Sequence, residues 1–185
     1  MAETLPGRMN VAEFIPWAMA RPETEHYELV AGEVVPRAPE RAMHVRARGR
    51  LYCRLASGIE AAGQRCTLYP RGMAVMVDAD TLYEPDALVR CGEELPDDAL
   101  FVTDPIIVID VLSPSASAVD TGNKFVDYFR LASLRHYLLI RPDKRVIVHH
   151  ECNAHGDIAT RVVHDGSVRL DPPGIDLTDI FETKP

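Results

Sequence analysis

The sequence lacks long apolar segments, and no uncharged hydrophobic run approaches the ~20 residues that a membrane-spanning helix needs. The β-branched run that begins at Ile106, for example, ends at Asp110. The first residues, Met-Ala-Glu-Thr-Leu-Pro, contain neither the basic region nor the apolar core of a secretory signal. These absences predict a cytoplasmic protein with no membrane partner.

The chain is also short of positive charge and of paired cysteines. Its 20 lysine and arginine residues face 28 acidic residues, and the net charge of −8 excludes a protein that coats nucleic acid by bulk charge. The cysteines have no paired spacing, which predicts reduced thiols at Cys53, Cys66, Cys91 and Cys152. What is present, 46% hydrophobic and 26% charged residues in a chain of 185, is typical of globular proteins. We therefore expect a single domain over residues 1–185, with a lead-in region over residues 1–25.

Two local patterns define the beginning of the chain. Asn10 and Glu13 have the spacing of a capping box, which predicts a short helix that Pro16 ends or kinks. Two β-prone runs, Tyr27–Val30 and Glu33–Val35, flank a glycine turn and predict a hairpin. The chain is thus expected to open with a lead-in helix, outside the core, and an N-terminal β-hairpin.

Apolar residues recur at three-to-four spacing between Pro39 and Ala62, which predicts the first long helix. These apolar positions are Val45, Leu51, Tyr52, Leu55 and Ile59. The other side of the helix is basic and contains no acid between its arginines, which are Arg41, Arg46, Arg48, Arg50 and Arg54. Either a solvated face or a surface that contacts phosphate explains this basic stripe.

The remaining elements alternate in a way that predicts a mixed sheet. Ile106–Leu112 is nearly continuous in β-branched residues and is typical of a central strand buried on both faces. A helix over residues 119–131 and a strand at Tyr137–Ile140 follow it, which is compatible with a crossover connection. Further strands are predicted at Cys66–Tyr69, Met73–Val77, Ala87–Val89, Val146–His149, Thr160–Val163 and Val168–Leu170, and a short closing helix at Asp176–Phe181.

Two carboxylates lie on predicted strands, Asp86 at the start of one and Asp110 inside the central one. A buried carboxylate costs several kcal/mol unless it is paired, protonated or bound to a metal, so Asp110 marks either a polar strand end or a functional site. With Lys124 on the following helix, the aspartates could hold Mg2+ and assist phosphodiester hydrolysis. By spacing alone, aspartates that cap loops explain the pattern better than a catalytic site does.

Several short segments together extend this pattern along most of the chain. They are Tyr27–Val30 followed by Gly32–Val35, His44, Pro85-Asp86, Asp104-Pro105, Asp110–Ser115, Asp120 with Lys124 and Tyr128, and Tyr137–Asp143. In this order they resemble the Uma-two family of restriction-endonuclease-like proteins, in the PD-(D/E)xK nuclease superfamily. The resemblance implies an α/β fold: a restriction-endonuclease-like mixed β-sheet flanked by helices, with the N-terminal β-hairpin as an extension.

The resemblance also implies a set of site residues. The catalytic residues would be Asp86, Asp110, Lys124, Glu28 and His44, of which the last two are accessory, and the metal-contacting residues Asp86, Asp110 and Val111. Two positions depart from the family pattern: Asp110 replaces the usual glutamate, and Leu112 stands where a simple D-x-K motif has its lysine. Lys124 would replace that lysine from the next helix.

Two function hypotheses follow from this resemblance. The first is a Mg2+- or Mn2+-dependent endonuclease that acts on DNA as a homodimer, without an organic cofactor. The second is a catalytically inactive nuclease-fold module for assembly or nucleic-acid binding, which the net charge of −8 favours mildly.

Other polar residues near these motifs have structural interpretations. Asp120 is expected to favour the first turn of its helix through the helix dipole, and Tyr128 to pack. Residues 149–155 include several possible zinc ligands. In a strand, however, adjacent side chains point to opposite faces, so His149 and His150 are not expected to bind the same ion. We therefore predict surface histidines at a hairpin tip there.

Overall fold

The computed structural model describes residues 5–37, 41–113, 118–164 and 167–181, with the backbone alone for residues 118–120. In chain order its helices are α1 (Val11–Met19), α2 (Ala42–Ala62) and α3 (Ala118–Tyr128). Its strands are β1 (Tyr27–Val30), β2 (Glu33–Pro36), β3 (Cys66–Pro70), β4 (Ala74–Asp78), β5 (Thr81–Tyr83), β6 (Ala87–Cys91), β7 (Phe101–Val102), β8 (Ile107–Val111), β9 (His136–Arg141), β10 (Val146–Cys152), β11 (Ile158–His164), β12 (Val168–Leu170) and β13 (Ile175–Leu177).

In the part of the chain that the structure describes, the strands form two sheets and a separate hairpin. The larger sheet has the order β11-β10-β9-β8-β6-β3, the smaller has the order β2-β1-β5-β4-β7, and β12 pairs with β13. Strands β8 and β9 are parallel and are connected through α3, which confirms the predicted crossover and the mixed sheet. In the described ranges, no helix is long and apolar enough to cross a membrane.

The larger sheet is covered on both faces. Helix α2 and the β12–β13 hairpin pack on one face, through side chains that include Leu51, Leu55, Val89, Ile109, Leu138, Ile147 and Ile175. Helix α3 and the smaller sheet pack on the other, through side chains that include Val75, Tyr83, Leu88, Val108, Tyr128 and Tyr137. Because both faces are covered, β8 is apolar at nearly every position, and its aspartate needs specific partners.

The N-terminal hairpin follows from its turn. Ala31 and Gly32 have φ angles of 47° and 83°, and two positive φ values are characteristic of the type I′ turn that hairpins favour. The turn sets the register in which Glu28 pairs with Val35. The predicted hairpin is therefore confirmed, and β1 also pairs with β5 in the smaller sheet.

Helix α1 differs from its prediction, because it continues through Pro16 to Met19. The predicted capping box is present: Asn10 Oδ1 accepts a bond from Glu13 N at 3.0 Å, and Glu13 Oε2 accepts one from Asn10 N at 2.9 Å. Val11 and Phe14 are buried against the N-terminal hairpin, so α1 belongs to a core. Burial of this face stabilises the helix despite the backbone donor that proline lacks.

The predicted closing helix at Asp176–Phe181 is wrong, because Ile175–Leu177 forms strand β13 and residues 178–181 are not helical. Ile175 and Leu177 are buried while Asp176 between them is exposed, which is the two-residue period of a strand. Asp176 Oδ2 accepts a bond from Arg169 Nη1 on β12 at 2.8 Å. The apolar positions thus had too short a span to indicate the correct period.

The prediction of four reduced cysteines is also wrong. Cys66 on β3 and Cys91 on β6 form a disulfide, whereas Cys53 and Cys152 are free. The antiparallel register of β3 and β6 places Cys66 directly opposite Cys91. These two residues are 25 positions apart in the chain, so only the strand pairing reveals that they are neighbours.

Candidate active site

Four of the predicted site residues converge between the two sheets from separate elements. Glu28 lies on β1, Asp86 precedes β6, Asp110 lies on β8 and Lys124 on α3, and all four are at most 5% exposed. Asp86 immediately precedes Ala87 and Asp110 immediately follows Ile109, and Ala87 and Ile109 are register partners. The strand pairing therefore brings both aspartates to the same end of β6 and β8.

Asp86 is held by polar groups on three sides. Its Oδ1 accepts a bond from Arg48 Nη1 at 2.9 Å, and its Oδ2 accepts one from the backbone N–H of Val111 at 2.7 Å. The hydroxyl of Tyr52 donates to its backbone oxygen at 2.7 Å. Val111 thus contacts the site through its backbone amide, which orients the Asp86 carboxylate.

Asp110 has one carboxylate oxygen with a partner and one without. Its Oδ2 accepts a hydrogen bond from the hydroxyl of Tyr137 at 2.8 Å. Its Oδ1 is buried and has no hydrogen-bond partner in the described structure. Since buried polar atoms in native proteins are nearly always satisfied, an unpartnered carboxylate oxygen is available to a further donor or a cation.

Glu28 and Lys124 form a buried ion pair. Lys124 Nζ donates to Glu28 Oε1 at 2.8 Å, and this oxygen also accepts from the backbone N–H of Glu84 at 3.0 Å. Burial lowers the pKa of Lys124, but the carboxylates of Asp110 and Glu28 outweigh that effect and raise the pKa above its usual value. The ammonium therefore keeps its proton at neutral pH.

His44 has a different environment from the other predicted residues. It lies in the first turn of α2, is 4% exposed, and bonds through Nε2 to the backbone oxygen of Leu112 at 3.0 Å. A carbonyl only accepts, so Nε2 is the donor in this bond. Because Leu112 follows β8 directly, His44 connects α2 to the strand that carries Asp110.

Sequence reasoning missed the basic and acidic partners of these residues. Arg37 Nη1 donates to Glu28 Oε1 at 3.3 Å, Arg71 Nε donates to Glu84 Oε1 at 3.3 Å, and Arg48 binds Asp86. Arg48 belongs to the basic stripe of α2, whose sequence predicts either a solvated face or a surface that contacts phosphate. Its position four residues after the buried His44, on the same side of the helix, was the available signal.

The pKa of Arg37 reflects the carboxylates that surround its guanidinium. Burial lowers the pKa of the Arg37 guanidinium, but nearby carboxylates raise it above its usual value. Those carboxylates, in order of effect, belong to Glu28, Asp110, Asp86 and Glu84. A cluster of acids and bases therefore shares one largely buried volume.

The donor set suits a hard divalent cation bound with few protein ligands. No group of three His, Cys, Asp or Glu side chains arranged to hold a metal occurs among residues 5–37, 41–113, 118–164 and 167–181. Mg2+ in phosphoryl-transfer sites is nevertheless often held by one or two carboxylates, with waters and substrate phosphates completing the coordination. Asp86 and Asp110 could supply such carboxylates, and Oδ1 of Asp110, which has no partner among the described residues, is available to a cation.

Two further predictions concern α3. The side chain of Asp120 lies outside the described residues. Tyr128 is fully buried, and its ring centroid lies 5.3 Å from that of Tyr83 and 5.1 Å from that of Tyr137, which confirms that it packs. The hydroxyl of Tyr128 is buried without a hydrogen-bond partner in the described structure.

The histidines near the end of β10 are partly as predicted. His149 and His150 do point to opposite faces: His149 contacts the ring of His136, and His150 those of Phe125 and Tyr137. The prediction that they are surface residues is wrong for His149, which is 2% exposed. His149 shares the buried face of β10 with Ile147, whereas the residues on the other face of the strand are only half-buried.

Comparisons with known proteins identify one family and one fold. Residues 11–179 match the model of the Uma2 family, which is described as "Putative restriction endonuclease". Two uncharacterised proteins of Synechocystis sp. (strain ATCC 27184 / PCC 6803 / Kazusa) are similar. The protein sll1609 is 30% identical over 120 residues, which is 63% of this chain and 67% of that protein. The protein slr1290 is 37% identical over 73 residues, which is 40% of this chain and 38% of that protein.

A solved structure shows the same fold. It is described as a "putative nuclease belonging to DUF820" from Anabaena variabilis ATCC 29413, and it matches 89% of this chain and 90% of its own. The TM-score is 0.70 at 16% sequence identity. This likeness confirms the predicted fold class, a mixed β-sheet flanked by helices.

Proposed function

Because this chain belongs to the Uma2 family of restriction-endonuclease-like proteins, we propose that it is a metal-dependent endonuclease that hydrolyses phosphodiester bonds in DNA. The observation that carries the proposal is the buried acidic pair at the end of β6 and β8, in which Asp110 Oδ1 has no partner among the described residues. Asp86 and Asp110 would hold Mg2+ or Mn2+, and no organic cofactor is needed. Family membership and the nuclease fold support the reaction class.

In this proposal, Lys124, Glu28 and His44 would have different roles in hydrolysis. When bound, a divalent cation stabilises charge on a phosphate oxygen and lowers the pKa of a coordinated water. Lys124 retains its proton, so its ammonium can donate to a phosphate oxygen and offset the negative charge of the transition state. Glu28 holds that ammonium in place, and His44 holds the end of the strand that carries Asp110.

The substrate and the oligomeric state depend on surfaces outside this site. By analogy with small single-domain nucleases, in which a second copy usually supplies the second cut in a duplex, we propose a homodimer. The net charge of −8 means that attraction to phosphate must be local, and the arginines of α2 are the basic residues that could supply it.

A catalytically inactive nuclease-fold module is the second candidate function. The observation that favours it is the occupation of the acidic side chains by basic ones, such as Arg48 on Asp86 and Lys124 on Glu28. Such a module would bind nucleic acid or assemble with partners but would bind no divalent metal at Asp110. Metal affinity therefore discriminates between the two functions.

The first experiment is a calorimetric titration of Mn2+ into the purified protein, alone and with a mixed-sequence DNA duplex whose phosphorothioate linkages resist hydrolysis. We expect Asp110→Asn to weaken Mn2+ binding at least tenfold, because the amide removes the charge but keeps the shape. The matched control is Asp157→Asn, in the turn after β10, which should bind like wild type. Mn2+ binding that is undetectable with and without DNA, or that is unchanged in Asp110→Asn, would contradict the proposal.

A further inference from the structure

The acidic centre is neutralised by its own basic side chains. Among the side chains that the structure describes, its carboxylates belong to Glu28, Glu84, Asp86 and Asp110, and the Arg and Lys side chains that face them are Arg37, Arg48, Arg71 and Lys124. The formal charges of these eight groups cancel. A divalent cation alone would therefore bring two uncompensated positive charges into a volume from which water is largely excluded, and this is costly.

Arg48 differs from the other three basic side chains in its partner. Arg37 and Lys124 donate to Glu28, and Arg71 donates to Glu84. Arg48 alone among these four has a described ion pair with Asp86, one of the two carboxylates assigned to the metal, at 2.9 Å. Its guanidinium therefore competes with a cation for Asp86.

The position of Arg48 also allows it to leave Asp86. Its side chain is 15% exposed, against 4% for that of Asp86, so part of the Arg48 side chain is accessible to solvent. It is attached to α2 by a long side chain that can change rotamer without movement of the helix. A guanidinium binds phosphate with the same paired geometry with which it binds a carboxylate.

We propose that Arg48 occupies Asp86 in the metal-free protein and transfers to a DNA phosphate when a divalent cation takes its place, so that metal and DNA bind cooperatively. This inference rests on the proposed function and specifies its order of assembly. The exchange lowers the uncompensated charge from two positive charges to one: the cation replaces the guanidinium at Asp86, and one phosphate pairs with the displaced guanidinium. By linkage, DNA must raise the affinity for metal by the factor by which metal raises the affinity for DNA.

The test measures Mn2+ affinity by calorimetry in the whole protein, with and without the phosphorothioate duplex. We expect the duplex to raise the Mn2+ affinity of wild type at least tenfold. Arg48→Gln should bind Mn2+ alone at least tenfold more tightly than wild type, because its competitor is gone, and should gain less than threefold from the duplex. Equal Mn2+ affinity of wild type and Arg48→Gln, or no effect of the duplex on wild type, would overturn the inference.

Two further variants make the result specific to Arg48. Arg161→Gln changes the same charge on β11, three strands and about 14 Å from β8, and should behave like wild type. Arg48→Met keeps the apolar part of the side chain and replaces Arg48→Gln if circular dichroism shows that the latter is unfolded. Mn2+ binding that is lost in Asp110→Asn but insensitive to DNA and to Arg48 would leave the proposed function standing and overturn only this inference.

Discussion

At the scale of single residues, two neighbouring tyrosines differ in whether their hydroxyl groups are satisfied. Both Tyr137 and Tyr128 are fully buried, and their rings are in contact. The Tyr137 hydroxyl donates to Asp110 Oδ2 at 2.8 Å, whereas the Tyr128 hydroxyl has no hydrogen-bond partner in the described part of the chain. Substitution of each tyrosine by phenylalanine therefore distinguishes the effect of the hydrogen bond to Asp110 from that of aromatic packing.

Tyr137→Phe is expected to destabilise the protein by about 1–3 kcal/mol, because it leaves a second buried oxygen of Asp110 without a donor. Tyr128→Phe makes the same chemical change and should leave stability unchanged or raise it, because it removes an unsatisfied hydroxyl. Urea unfolding followed by circular dichroism measures both. Equal loss of stability in the two variants would show that packing, rather than the bond to Asp110, accounts for the effect.

At the scale of secondary-structure elements, two glycines of α2 differ in their surroundings. Substitutions at these two positions therefore distinguish the effect of helix propensity from that of packing. A Cβ added at Gly58 would lie 2.6 Å from Cγ2 of Ile175, which is fully buried on β13. A Cβ added at Gly49 would meet no atom within 4 Å. Gly58 therefore allows the β12–β13 hairpin to approach α2 closely.

We expect Gly58→Ala to destabilise the protein by about 1–3 kcal/mol, because the buried side chain of Ile175 must shift. Gly49→Ala should stabilise it by about 0.5–1 kcal/mol, since alanine loses less backbone entropy in a helix than glycine does. The midpoints of urea unfolding at constant m-value compare the two variants. A stabilised Gly58→Ala would mean that the hairpin moves away from α2 without cost.

At the scale of the whole molecule, a buried histidine pair couples stability to pH. His136 Nε2 donates to the backbone oxygen of Pro172 at 3.0 Å, and His136 Nδ1 lies 2.9 Å from His149 Nε2. Because Nε2 of His136 carries a proton, Nδ1 of the neutral ring accepts one from His149. Burial lowers the pKa of each ring from 6.5 to about 4.

The protein is therefore expected to lose stability as the pH falls from about 6.5 to about 4. In that range the histidines of the unfolded chain bind protons, whereas the buried histidines of the folded protein stay neutral. Above that range the histidines are neutral in both the folded and the unfolded protein. Urea midpoints at pH 7.5 and 5.0 should show the loss, and His149→Gln should reduce the difference by about half. His155→Gln, in the exposed turn after β10, is the control and should leave the difference unchanged. A pH difference in His149→Gln as large as that of wild type would contradict this assignment.

Much of the candidate site was predictable because its residues belong to short local patterns. Asp86, Asp110 and Lys124 each stand in a motif that matches a family in order, and the structure brings them together with Glu28. Arg48 was not predictable as a partner of Asp86, because an arginine in a basic helical stripe is usually solvated. The ion pair depends on how α2 lies across β6, and that geometry is not a property of either segment alone.

Local sequence patterns predict the mixed sheet, the long α2 helix and the N-terminal hairpin, and they identify the acidic residues. Hydrophobic period, capping and turn chemistry act over neighbouring residues, so they are readable from the chain. In contrast, contacts between distant segments bring Cys66 to Cys91, bury His149 and form β13 where a helix is predicted. Each of these depends on which strands pair and what covers them, and such contacts between distant residues leave no local pattern in the sequence.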